Sequence, residues 1–137
     1  MKNILYIVWS ENSNLGIRII DEQHRGIIST INSLYYFVLI GYGNEMVPSI
    51  LAMIEQYIHI HFKTEEGLLK EAGYPAIGDH IALHKELTEK TKFLTIEARR
   101  TKDPDVVLKF LKDWWLNHIN TEDRKYVPFV SKLVDKR

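Results

Sequence analysis

The chain has 137 residues, 45% of them hydrophobic, no cysteine, and 18 basic side chains balanced by 18 acidic ones. That length suits one compact domain with a sizeable core and leaves no room for a second catalytic domain. Without thiols, cysteine-held iron–sulfur clusters, cysteine zinc sites, thiol catalysis and disulfides are excluded, and the zero formal charge removes the electrostatic case for nucleic acid or an anionic membrane.

Residues 1–19 are predicted to form an N-terminal arm. Its apolar run, Ile4 to Trp9, has six residues. A signal-peptide core needs about 7–15 and a membrane helix about 20, so a soluble cytoplasmic protein without membrane or nucleic-acid partners is expected. Leu5, Ile7 and Trp9 alternate as a strand would, but no partner strand is visible, so the arm is expected to pack on the rest of the chain.

Four helical stretches follow. The first, about Ile20 to Ile40, carries Ile27, Ile28, Ile31, Leu34, Tyr35 and Val38 on one stripe, and Gly41-Tyr42-Gly43-Asn44 closes it. The second, about Glu45 to Ala72, turns Ile50, Leu51, Ile54, Tyr57, Ile58, Leu68 and Leu69 inward and stops at Gly73-Tyr74-Pro75. A third, about Ile77 to Arg100, has Ile77, Leu87 and Leu94 on its stripe. Asp103 is predicted as the N-cap of a fourth helix, with Pro104 at its first position and Val107, Leu111 and Trp114 inward. Short connections between long amphipathic helices favour antiparallel neighbours. The expected fold is therefore all-α, a single domain over 1–137. It comprises an up-down-up-down four-helix bundle over 20–121 and a tail over 122–137 that holds a short helix.

Five of the six histidines fall on the inward stripes. A helix advances about 100° per residue, so residues four apart lie only about 40° from each other. His61 and Glu65 form such a pair on the second helix, and His80 and His84 form another on the third. His24 continues the stripe of the first helix and His118 that of the fourth. His59, about 160° from His61, belongs to another face. A lone pair of this kind is common, but five imidazoles in one small core would each need its own hydrogen-bond solution. Metal coordination meets the whole need at once, and imidazole with carboxylate suits iron, zinc, manganese or copper. Asp123 fits less simply. Five residues past His118 it lies about 140° off that direction on a regular helix. It reaches a shared metal only if the helix ends, bends or widens in between, and Asn120-Thr121-Glu122 suits such a break.

Asp21-Glu22-Gln23-His24, His61-x-x-x-Glu65, Tyr74-Pro75 ahead of His80-x-x-x-His84, and Trp114-x-x-x-His118-Ile119-x-x-x-Asp123 together resemble the hemerythrin family, specifically its single-domain bacterial members. The match runs in order from Trp9 to Tyr126. It implies a non-haem di-iron site, with an oxo or hydroxo bridge, that binds O2 reversibly as the irons pass between Fe2+ and Fe3+. Carried over to these positions, His80, His84 and His118 hold one iron, His24 and His61 the other, and Glu65 and Asp123 bridge both. One coordination position on the second iron is left open for O2. The family's awkward spacing between the last histidine and the aspartate is present here too.

Ferritin-like di-iron proteins use carboxylate-rich sets with Glu-x-x-His motifs, and this chain has none. Five imidazoles with two carboxylates disfavour substrate-oxidising states, so binding is expected rather than catalysis. Phe62, Trp114, Leu116 and Ile119 are the expected walls of a dry pocket. Trp115 stands where the family commonly has a leucine that lines the O2 pocket. A larger indole there narrows the pocket and offers an N–H donor. Gly26 replaces a more usual long side chain, which loosens the first helix by about 1 kcal/mol. The expected function is oxygen storage, delivery or buffering. Alternatives are an O2 or redox sensor acting through an unidentified protein partner, a di-iron peroxidase or NO-detoxifying enzyme with Tyr35 or Tyr57 facing the core, and a zinc or manganese site.

Overall fold

The structure is a computed structural model that describes residues 5–134. Four helices make up the bundle: α1 (Arg18–Leu39), α2 (Gly43–Ala72), α3 (Ile77–Thr101) and α4 (Asp105–Trp114). Each packs on its chain neighbour and α1 closes onto α4, which gives the expected all-α antiparallel bundle. No strand is present among the described residues.

Two of the reversals rest on glycines in the left-handed region, Gly41 at φ +87° and Gly73 at φ +67°. After α1, Tyr42 N–H donates to Phe37 C=O and Gly41 N–H to Val38 C=O. After α2, Tyr74 N–H donates to Leu69 C=O and Gly73 N–H to Lys70 C=O. These paired bonds satisfy the last carbonyls of each helix and turn the chain out of it. Helix ends depart from expectation by one or two residues. Arg18 and Ile19 belong to α1 rather than to the arm, and α4 begins at Asp105 with Pro104 as its cap residue. Asp103 still caps the helix, because its Oδ1 accepts from Asp105 N–H at 3.0 Å.

Beyond α4 the chain widens into a π-helical segment, Trp115–Glu122, then tightens into a 3-10 turn, Asp123–Tyr126. The short helix expected in the tail is α5 (Val127–Val134), which packs back on α2. Residues 1–4 of the expected arm and 135–137 of the tail lie outside the described residues.

The arm lies on α1 without forming a sheet. Asn32 stitches it there. Its Oδ1 accepts from the N–H groups of Tyr6 and Ile7, each at 2.9 Å, and its Nδ2 donates to Ile7 C=O at 2.9 Å. Tyr6 stacks on Tyr35, with ring centroids 4.6 Å apart. Ile7 is buried, whereas Leu5 of the same alternating set is largely exposed. Trp9 packs against Trp115 at 5.7 Å, with the Arg25 guanidinium 4.8 Å over its ring.

The apolar core comes in two clusters. The larger gathers Ile7, Ile27, Ile28, Ile31, Leu34, Leu51, Ile54, Ile58, Phe62, Leu111, Trp114, Trp115 and Ile119. The smaller gathers Leu15, Ile17, Ile20, Leu69, Tyr74, Tyr126 and Val130 around the start of α1 and the α2–α3 turn. Along α1, Ile20 belongs to the small cluster and Ile27 to the large one, with His24 between them. On α2, Phe62 and Leu69 likewise flank Glu65. A polar layer is therefore held between two apolar ones.

The third helix differs from its predicted stripe. Ile77, Leu87 and Leu94 are only partly buried, and the fully inward positions are His80, His84, Thr91, Thr95 and Ala98. Small and polar side chains occupy this face, and Ala98 joins the large apolar cluster there. Thr91 satisfies its hydroxyl on Leu87 C=O at 2.7 Å.

Gly26 has a packing role as well as a helix-propensity cost. A Cβ built there would lie 1.8 Å from the Tyr57 hydroxyl oxygen and 2.3 Å from its Cζ, so the Tyr57 ring fills the notch that glycine leaves on α1. Gly26→Ala is expected to destabilise the chain by about 1–3 kcal/mol through overpacking, despite alanine's better helix propensity. Pairing it with Tyr57→Ala in a double-mutant cycle followed by urea denaturation is expected to show a coupling that removes most of that cost.

Candidate metal centre

The first three helices of the bundle and the segment that follows the fourth each deliver part of the site. α1 brings His24, α2 brings His61 and Glu65 one turn apart, α3 brings His80 and His84 one turn apart, and the π-helical segment brings His118. All are buried, as is Asp123, with His24, His61, Glu65 and Asp123 fully excluded from solvent.

The π-helical segment resolves the spacing from His118 to Asp123. Asp123 N–H donates to His118 C=O, a bond that spans five residues rather than four. Widening the turn by one residue brings the side chain five positions on back over His118. The two side chains meet with His118 Nε2 and Asp123 Oδ1 3.1 Å apart.

The seven side chains form two overlapping groups. One contains Glu65, His80, His84, His118 and Asp123, and the other His24, His61, Glu65 and Asp123; within each group the candidate ligand atoms all lie within 4.8 Å of one another. The two carboxylates are shared, and each divides its oxygens between the groups. Glu65 Oε1 lies 2.6 Å from His80 Nε2 and 2.9 Å from His84 Nε2, while its Oε2 lies 3.2 Å from His61 Nε2. Asp123 Oδ1 lies 3.3 Å from His80 Nε2 and 3.1 Å from His118 Nε2, while its Oδ2 lies 3.4 Å from His24 Nε2. His24 Nε2 and His61 Nε2 are 3.1 Å apart. All five rings thus present the same nitrogen to the interior.

This donor set fits cations better than it fits itself. His84 Nε2, His118 Nε2 and both Asp123 oxygens are buried without a hydrogen bond of acceptable geometry, although their neighbours are close. Leaving four such atoms unpaired in a core is costly, and a coordinated ion would satisfy all of them. Nitrogen and oxygen donors of this kind suit first-row transition metals.

The charges are mutually dependent. Burial alone would raise the Glu65 carboxyl, but the imidazoles of His61, His80 and His84 around it hold it well below its ordinary value. Burial and the Glu65 charge would likewise raise Asp123, and His118, His24 and His80 outweigh them. Burial pushes the His24 imidazole down. For His80, burial acts in the same direction but loses to the carboxylates of Asp123 and Glu65 beside it, and its value rises to about 9.

Three residues without a role in the sequence reading support these side chains. His61 Nδ1–H donates to Gln23 Oε1 at 2.8 Å, Gln23 Nε2 donates to Thr64 Oγ1 at 3.0 Å, and Thr64 donates to Ile60 C=O at 3.0 Å. His84 Nδ1–H donates to Glu66 Oε2 at 2.9 Å. Tyr126 O–H donates to Glu65 Oε2 at 2.9 Å. Gln23 and Glu66 each adjoin a ligand candidate in sequence, and the outward nitrogen of an inward histidine calls for such an acceptor.

The expected pocket residues separate by position. Phe62 stacks on His84 with ring centroids 3.8 Å apart and planes 4° from parallel, and Trp114 lies beside His118 at 6.1 Å. Trp115 meets His24 edge-on at 5.4 Å. Ile119 is fully buried. Leu116 is not a wall residue: it is 48% exposed, because burying Trp115 at the start of the widened segment turns the next side chain to solvent. Tyr35 and Tyr57 are committed to Tyr6 and to the Gly26 notch.

A family model described as hemerythrin HHE cation binding domain matches residues 15–130. The chain is 31% identical over 126 residues to a bacteriohemerythrin of Stenotrophomonas maltophilia (strain R551-3), covering 91% of this chain and 82% of the relative. It is 32% identical over 124 residues to a bacteriohemerythrin of Methylococcus capsulatus, covering 87% and 90%. A hemerythrin of Sipunculus nudus is 31% identical over 119 residues, with 87% and 89% covered. A crystal structure of wild-type hemerythrin superposes with a TM-score of 0.81 at 25% identity, over 92% of this chain and 98% of that one.

The charge balance of the centre predicts how the metal-free chain responds to pH. His80, raised from 6.5 to about 9, stabilises the fold fully below the lower value. That contribution is lost as pH rises through the higher one. The lowered carboxyls Glu65 and Asp123 act in the opposite sense and lose theirs on acidification. Urea midpoints of the metal-free chain from about pH 2 to about pH 10 are expected to fall at both ends, and His80→Gln is expected to remove the alkaline fall.

Proposed function

Because the chain belongs to the hemerythrin family, we propose that it binds O2 reversibly at a pair of iron ions, for storage, delivery or buffering of oxygen. His80, His84 and His118 would hold one ion, His24 and His61 the other, and Glu65 and Asp123 both. The observation that carries this reading is the division of each carboxylate, with one oxygen toward each histidine group.

An iron pair, when bound, would supply the two electrons that O2 takes up and would recover them on its release. The side chains around it favour binding over turnover. Five imidazoles against two carboxylates keep negative charge at the centre low. Phe62, Trp114, Trp115 and Ile119 exclude water from around the ligands, and water would help to strip a partly reduced ligand away. Trp115 packs on His24, in the group with fewer imidazoles, and narrows the space there.

Tyr126 is the non-ligand acid held against the carboxylates. Burial, then the charges of Glu65 and Asp123, push its phenol well above the ordinary value. It therefore keeps its proton and serves as a fixed hydrogen-bond donor to Glu65 rather than as a source of protons for turnover.

The iron-loaded, anaerobically reduced chain is expected to gain a visible absorption band on exposure to O2 and lose it when the gas is removed. A stable oxidised spectrum that does not reverse would contradict the proposal. Asp123→Ala takes an oxygen donor from both groups, and is expected to lower the iron content below two ions per chain and abolish the reversible band, as metal analysis and the same spectra would show.

A further inference from the structure

The two histidine groups differ in what stands behind them. In the three-imidazole group, His84 Nδ1–H donates to the carboxylate of Glu66 at 2.9 Å. In the two-imidazole group, His61 Nδ1–H donates to the neutral amide of Gln23 at 2.8 Å. The Nδ1 atoms of His24 and His118 are buried without a hydrogen-bond partner. Glu66 is thus an anionic acceptor behind a ligand of one group only.

Its charge is not spent elsewhere. Among the described residues no lysine or arginine pairs with Glu66, whose one ion-pair contact is His84. Lys63 and Lys85 line the same surface groove between α2 and α3 but make no such contact with it. The Glu66 side chain is 22% exposed, so its partial burial strengthens the interaction with the ring.

A carboxylate behind an imidazole does two things for a metal. It fixes the proton on Nδ1, leaving the Nε2 lone pair free, and it makes that nitrogen a better donor. An amide fixes the tautomer equally well but adds no charge. Gln23 is committed as an acceptor, because its own N–H group donates to Thr64.

We propose that Glu66 is a positioning residue that makes the His80, His84 and His118 group the tighter half of the centre, so that metal ions enter there first and at His24 and His61 second. The inference rests on the two-ion reading given above. It concerns the order of loading, which neither the ligand set nor the fold assigns.

The test uses the full metal-free chain with 15N-labelled histidine, titrated with Zn2+, which is diamagnetic and needs no exclusion of oxygen. With the first equivalent, the Nε2 resonances of His80, His84 and His118 are expected to move to coordinated positions, and those of His24 and His61 only with the second. In Glu66→Gln the first step is expected to weaken by about 10–100-fold, and the first equivalent to divide between the groups. Gln23→Glu is expected to tighten the second step and blur the order from the other side, which guards against an effect of one variant on folding alone. Unchanged order and affinity in Glu66→Gln would overturn the proposal, as would first entry at His24 and His61 in the unmodified chain. Failure of all five rings to move with Zn2+ would overturn the two-ion reading itself, and this inference with it.

Discussion

The organisation of this protein follows from one constraint: seven groups that prefer water are placed in the dry centre of a small bundle. Five imidazoles and two carboxylates lie between a large apolar cluster on one side and a smaller one on the other. Such a layer persists only if its atoms satisfy each other or share a ligand. The histidines and carboxylates do the first in part, through the contacts that hold Glu65 and Asp123 in their charged forms. The atoms left over, at His84, His118 and Asp123, define where a cation belongs.

The rest of the fold serves that layer. The glycine-terminated turns after α1 and α2 bring successive helices back past the same level, so that ligands distant in sequence become neighbours. The π-helical segment sacrifices regular hydrogen bonding over eight residues to bring Asp123 back toward His118. The 3-10 turn before α5 supplies Tyr126, which ties the small apolar cluster to Glu65. The arm, pinned by Asn32, covers the bundle where Trp9 meets Trp115, the residue in contact with His24. Departures from helical regularity in this molecule therefore fall where the centre or its cover requires them.

Much of this was legible in the sequence because it depends on period and spacing. Apolar stripes at 3.6-residue spacing mark the four helices, and the inward histidines follow from the same periodicity. By spacing alone Asp123 was legible only as a conflict, since a regular helix carries it away from His118 and no local residue type specifies a π-helix; the family resemblance gave it its place. Leu116 was misplaced for a different reason: two residues past Trp114 it lies about 200° around a helix, away from the inward stripe, and it is largely exposed. On α3 the stripe of large apolar residues marked the edge of the buried face, where Ile77, Leu87 and Leu94 pack partly buried against the core, and missed Thr91, Thr95 and Ala98 at its centre, whose residue types carry no strong hydrophobic signal. The supports at Gln23, Glu66 and Tyr126 depend on contacts between helices, which spacing within one helix does not report. Gly26 belongs to the same class, since its reason is the Tyr57 ring on α2.

The central claim is that these seven side chains hold two metal ions in one place. Anomalous scattering from an iron-loaded crystal, measured on either side of the iron absorption edge, tests it most directly. The account predicts two peaks in the buried layer: one among His80, His84 and His118, the other beside His24 and His61, with Glu65 and Asp123 within reach of both. A single peak elsewhere, or none in this layer while the protein retains iron, would contradict it.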